Sequence, residues 1–281
     1  MAITAAEVKK LRESTGAGPM ECKKALEEAN GDFAVAEKRL KEKGLAAVEK
    51  RSDRATNEGK IFIRAKGNDA VIVELASETD FVARNPEFIA LGGTIADKAL
   101  EKHYAEPNEE LSAIVTDLAT KIRENMSLKR LKLITTGENE YLAWYIHGDG
   151  AIGIVVKLSA DKQVNHEDVN PFAYSLAMHI AAFNPLVLSK DKLDPLFVKE
   201  QEDIFRKQME ADASLSNKPA QARESILKGK MNKFLKSICL MDQGYIKDEK
   251  ITVAQALTDA GKQLGATLAI TDYVYFKVGQ K

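Results

Sequence analysis

One unit occurs twice in this sequence, and it restricts the fold more than any other feature. Two strands of alternating apolar residues, Lys60 to Ala65 and Val71 to Ala76, flank the turn signature Lys66-Gly67-Asn68-Asp69, and a helical pattern follows from about Pro86 to His103. The same order returns with Tyr141 to His147 and Ile152 to Leu158 around Gly148-Asp149-Gly150, then a helix from about Asp168 to Phe183. A hairpin-plus-helix unit repeated at this spacing predicts two related α+β halves, each a small antiparallel sheet covered by helices. A helix near Leu111 to Asn125 and a strand near Ser127 to Thr135 lie between them. A helix from Thr252 to Leu264 and a strand from Thr267 to Val278 close the second half.

Ahead of the repeat, residues 1–52 read as a helical module of three short helices. Thr4 and Glu7 form a capping box, with Val8 and Leu11 on the first apolar stripe. Pro19 is placed at the first position of the second helix, which ends at Asn30-Gly31. Asp32 caps a third helix that is expected to stop at Gly44. Residues Glu49 to Gly59 carry few large apolar side chains and read as a linker. The first half then spans 53–140 and the second 141–281. Within the second, a charged helical hairpin occupies about 191–231, broken at Ser216-Asn217-Lys218-Pro219, and sheet pattern is expected to resume over Phe234 to Ile246.

Forty-one basic against 42 acidic residues leave a net charge of −1, which gives no electrostatic reason to bind nucleic acid or an anionic membrane. No apolar stretch approaches a membrane span, no signal peptide is apparent, and Cys22 and Cys239 sit far apart, so a soluble cytoplasmic protein without disulfides is expected. The four histidines (His103, His147, His166, His179) share no metal-ligand spacing, and no nucleophile motif or carboxylate pair stands out. No metal site, cofactor or covalent catalysis is expected. His179, within an apolar helix, reads as a packing residue.

The strand ending at Ala76 runs into Ser77-Glu78-Thr79-Asp80-Phe81-Val82-Ala83-Arg84-Asn85 before Pro86 opens a helix. A phenylalanine in a strand-to-helix turn either folds back into the core or waits for a pocket on another protein; the second reading is preferred here.

Five segments in sequence resemble the bacterial elongation factor Ts family, the nucleotide-exchange factors of elongation factor Tu. They are Val8 to Leu26 (with Thr15-Gly16-Ala17-Gly18-Pro19-Met20), Glu78 to Ala83, Tyr145-Ile146-His147-Gly148 with Gly153, Met178 to Ala182, and Gly229 to Phe234 continuing to Cys239-Leu240 and Gln243. The resemblance spans about Ile3 to Val278. It implies that the N-terminal module is of the ubiquitin-associated type and that the hairpin is a protruding coiled coil. It also implies that Thr79, Asp80, Phe81 and Val82 push into the partner GTPase and disturb its magnesium site, with Phe81 as the wedge. Val8, Lys9, Leu11, Arg12 and Met20 would form a second handhold and His147 a weaker third. For Val8 and Leu11 the alternative is that they only close their own bundle. The implied partner is elongation factor Tu, with homodimerisation within that complex allowed and no direct contact to nucleic acid or membrane. Ala151 departs from the arginine often found there, and the sequence ends at Lys281 where some members continue into a further helix. The rival readings are a ribosome- or nucleic-acid-associated protein without exchange activity, and an adaptor that binds through its N-terminal module alone.

Overall fold

The computed structural model describes residues 3–280, which form two compact units of an α+β fold. One comprises residues 3–135, 146–153 and 276–280; the other comprises 136–145 and 154–275.

The first unit opens with three helices, α1 (Ala5–Thr15), α2 (Pro19–Glu28) and α3 (Phe33–Glu49). Their starts follow local chemistry. Thr4 N–H donates to Glu7 Oε2 (2.8 Å), and Glu7 N–H donates back to Thr4 Oγ1. Pro19 is the first residue of α2, and the Asp32 carboxylate accepts from Val35 N–H (3.1 Å) to cap α3. Leu11, Cys22, Ala25, Leu26, Ala36 and Leu40 make the small shared core. The expected stop at Gly44 is corrected: α3 runs through it to Glu49. A Cβ at Gly44 would lie 2.3 Å from Thr120 Cγ2 in α6 (Glu109–Ile122), so this glycine marks where two helices touch rather than where one ends.

The sheet of this unit has the order β1-β2-β3, formed by β1 (Glu58–Lys66), β2 (Asp69–Ser77) and β3 (Met126–Thr135), with both pairings antiparallel. Residues Ala70 to Ser77 of the central strand are all buried, because both faces are covered. On one face Val71, Val73 and Leu75 meet α5 (Pro86–Glu101) and α6 through Phe88, Leu91, Ile95, Leu111 and Val115. At the β1 edge Ile61 N–H donates to Gly150 O (2.8 Å), and on the other face a Cβ at Gly153 would lie 2.4 Å from Ile61 Cγ2 and 3.2 Å from Ile72 Cδ1, so a side chain there would separate the two segments. Glu74, 2% exposed, is neutralised on this face. Its carboxylate accepts from Arg130 Nε (2.5 Å) and from Gly279 N–H (3.0 Å), while Arg130 also donates to Lys277 O and stacks on Phe276.

The second sheet has the order β4-β5-β8, from β4 (Glu140–His147), β5 (Ile152–Ala160) and β8 (Leu268–Lys277). The repeat read from sequence is therefore a repeat of topology. In each half a hairpin is followed by helices and then by a strand that returns beside the second hairpin strand. In the first half those helices are α5 and α6. In the second they are α7 (His166–Phe183) and α11 (Val253–Leu264), with α8 (Pro195–Ala211), α9 (Ala213–Ser216) and α10 (Ala220–Ile238) inserted between. The expected sheet at Phe234 to Ile246 is corrected for the most part: α10 continues to Ile238, and the strands there are only the short pair β6 (Gly244–Tyr245) and β7 (Asp248–Thr252). A short apolar run fits either period. Here Phe234 packs against Phe197 in a tilted pair and edge-on against Phe205, both of α8, a contact that the helical register provides.

His179 of α7 is fully buried. Ile246 N–H donates to its Nδ1 (3.2 Å), so the ring proton sits on Nε2 and is donated to Gln243 Oε1 (3.0 Å). Burial holds its pKa below the ordinary histidine value, the bond to Gln243 opposing this less strongly. The unfolded chain therefore takes up a proton near pH 6.5 that the folded chain refuses, so stability should fall as pH drops below about 6.5. Urea unfolding followed at pH 7.5 and 5.5 should show a lower midpoint at 5.5, and His179→Gln should lose that part of the difference. An equal pH response in the variant would assign it elsewhere.

Candidate functional site

Ser77 ends the central strand, and the chain turns directly into α4 (Asp80–Ala83), a single helical turn. One turn is not stable by itself, since its first N–H groups lack intrahelical partners. The surrounding chain supplies them. Thr79 caps the turn, its Oγ1 accepting from Val82 N–H (3.4 Å). Glu124, immediately after the left-handed cap residue Arg123 of α6, takes both polar groups of Thr79: Oε2 accepts from the Thr79 N–H (3.1 Å) and Oε1 from its hydroxyl (2.8 Å). Ser77 Oγ donates to Thr79 O (3.0 Å). Beside this, Glu78 accepts from Asn125 N–H (2.6 Å), and the Asn125 amide donates to Ser52 O and Arg54 O, which ties the segment read as a linker to the same place.

The turn has two unlike sides. Val82 and Ala83 are buried in the unit's main core. Phe81 is 82% exposed. Asp80 and Arg84 flank it as an exposed ion pair (3.2 Å). Of the four residues predicted here, Phe81 and Asp80 face solvent, Thr79 is the cap and Val82 is the anchor. Val82, held in the core, offers no contact surface.

The turn 146–153 belongs to the same unit. Lys60, buried, donates to Asp149 Oδ2 (2.5 Å) and to Asp149 O (2.6 Å). The Lys60 hydrogen bond holds the Asp149 carboxyl below its ordinary pKa. His147 is exposed at the end of β4, in this turn.

The second predicted group divides. Met20 is 76% exposed at the α1–α2 corner, and Lys9 and Arg12 are exposed on α1. Val8 is half-buried against the bundle. Leu11 is completely buried among Cys22, Leu26 and Leu40, which corrects its assignment as a surface handhold: it closes the bundle core. The module is joined to α6 by Glu21, whose carboxylate accepts from Arg123 (2.5 Å) and is held below its ordinary pKa chiefly by that bond. Consecutive residues at one helix end, Arg123 and Glu124, thus grip the module and the Phe81 turn. Sequence reasoning missed both, and nothing local distinguishes them from other surface charges.

Among the described residues, no group of three or more His, Cys, Asp or Glu side chains is arranged to hold a metal ion, and no helix is long and apolar enough to cross a membrane.

The family model described as elongation factor TS matches residues 78–280, beginning at the residue before the Thr79 cap. Across 281 aligned residues the chain is 47% identical to elongation factor Ts of Treponema denticola, with 99% of each covered. It is 44% identical to elongation factor Ts of Treponema pallidum strain Nichols, again with 99% of each covered. To elongation factor Ts of Borrelia hermsii it is 38% identical, covering 99% of this chain and 100% of that protein. The chain belongs to the elongation factor Ts family of translation elongation factors.

Proposed function

We propose that this protein binds elongation factor Tu in its GDP form and speeds GDP release, so that GTP can replace it, without covalent chemistry. The observation that carries this reading is Phe81: a large apolar ring left in water on a turn whose other side is fixed in the core. An aromatic anchor that fills an apolar pocket on a partner contributes about 2 kcal/mol or more. Asp80 provides polar contact beside the ring, and Thr79 and Val82 keep the turn in shape. Magnesium bridges protein and phosphate oxygens in a GTPase, so displacing its ligands slightly loosens the nucleotide. Coupling of this kind is reciprocal, and rebinding nucleotide expels the factor by the same ratio. Met20, Lys9, Arg12 and the exposed side of Val8 serve as a second contact, with His147 as a third.

The test is release of fluorescent GDP from elongation factor Tu, chased with unlabelled GDP. Release should accelerate in proportion to added protein until it saturates. A rate unchanged at micromolar concentrations of this protein would overturn the proposal.

A further inference from the structure

We propose that Glu124 is a positioning residue for nucleotide exchange, holding Thr79 so that Phe81 is presented outward rather than allowed to swivel with its turn. The inference rests on the reading of Phe81 as the wedge. Among the described residues, the hydrogen bonds of the Glu124 carboxylate both go to Thr79, one from its N–H and one from its hydroxyl, and it forms no ion pair. Hydrogen bonds to an ionised carboxylate are charge-assisted and about twice as strong as neutral ones. What those bonds restrain is the cap of a helix only four residues long, in which a few degrees of rotation would redirect Phe81. The opposite side is held by Val82 and Ala83 in the core, so the turn is gripped at its cap and along its buried side. Glu124 itself is held in place by the chain on either side. Arg123 before it, in the left-handed conformation, bonds Glu21 of the N-terminal module, and Asn125 after it bonds Glu78. The Glu124 carboxylate bonds Thr79, the cap of the turn, and so acts on exchange through the turn.

The experiment uses the full chain and four variants: Glu124→Ala, Glu124→Gln, Phe81→Ala and the double variant Glu124→Ala/Phe81→Ala. Saturating fluorescent-GDP release from elongation factor Tu should slow about tenfold with Glu124→Ala, since small misplacements of a working group cost one to two decades. Glu124→Gln, whose amide oxygen accepts one of the two bonds, should recover part of the rate. In the Phe81→Ala background, Glu124→Ala should add less than about twofold, because effects that act through one group are not additive. Amide exchange of Val82 and Ala83 in the free protein should rise with Glu124→Ala while β2 and α6 keep their protection. Full release by Glu124→Ala, or its whole factor appearing again on top of Phe81→Ala, would overturn the inference while leaving the exchange reading intact. Failure of the unmodified protein to release GDP would remove that reading, and unchanged amide exchange at Val82 and Ala83 would then refute the positioning role separately. If Glu124→Ala does not fold, Glu124→Gln decides by the same rate and exchange measurements.

Discussion

Phe81→Ala should slow GDP release from elongation factor Tu by about 30-fold at subsaturating protein, the rate equivalent of a 2 kcal/mol anchor. Thermal stability should stay within about 0.5 kcal/mol of the unmodified protein, because a ring that is 82% exposed gives up almost no buried area when truncated. The two halves of this expectation discriminate between roles. A ring used for its own fold would cost stability and leave release untouched; a ring used on a partner does the reverse. Phe81→Leu should fall between, since it keeps apolar bulk but not the flat face. Release within about twofold of normal by Phe81→Ala would remove the ring from the mechanism, given that hot-spot truncations cost more than 1 kcal/mol.

The parts of this fold that were legible in the sequence are those whose determinants lie close together along the chain. Thr4 and Glu7 are three residues apart, Pro19 sits on the turn it starts, and the two hairpins announce themselves through period-two strands around glycine turns. The illegible parts depend on distant neighbours. Gly44 read as a stop because its reason for being glycine, the methyl of Thr120, is 76 residues away. Phe234 read as strand because the helical register is enforced by Phe197 and Phe205 across the inserted hairpin. The candidate site shows the same division within four residues. That Thr79-Asp80-Phe81-Val82 form one turn follows from the strand before and the proline after. The preference for an outward Phe81 rests on its place in that turn, but that the adjacent, equally apolar Val82 faces the core has no local signal. Glu124 was invisible for the same reason, bonding a threonine 45 residues earlier in a chain rich in carboxylates.

Leu11→Ala should have the largest effect on the N-terminal module, and a different kind of effect from Met20→Ala. Leu11 is completely enclosed, and truncating such a leucine typically costs about 3 kcal/mol through lost burial and the cavity left behind. The bundle core it belongs to holds few other large side chains, chiefly Leu26 and Leu40, so it has little reserve. The loss should therefore appear as local opening of α1 to α3, with faster amide exchange and new proteolytic cuts within residues 3–49, while β1 to β3 and their covering helices stay protected. Met20, 76% exposed, should behave in the opposite way: Met20→Ala leaves module stability within about 0.5 kcal/mol yet weakens binding to elongation factor Tu roughly fivefold or more. Leu11→Ala should also weaken binding, but only by the fraction of molecules whose module is open, so a mild stabilising osmolyte should restore it while leaving Met20→Ala weak. Unchanged amide exchange in α2 and α3 of Leu11→Ala, together with lost binding, would instead make that leucine a direct contact, against its burial in the bundle.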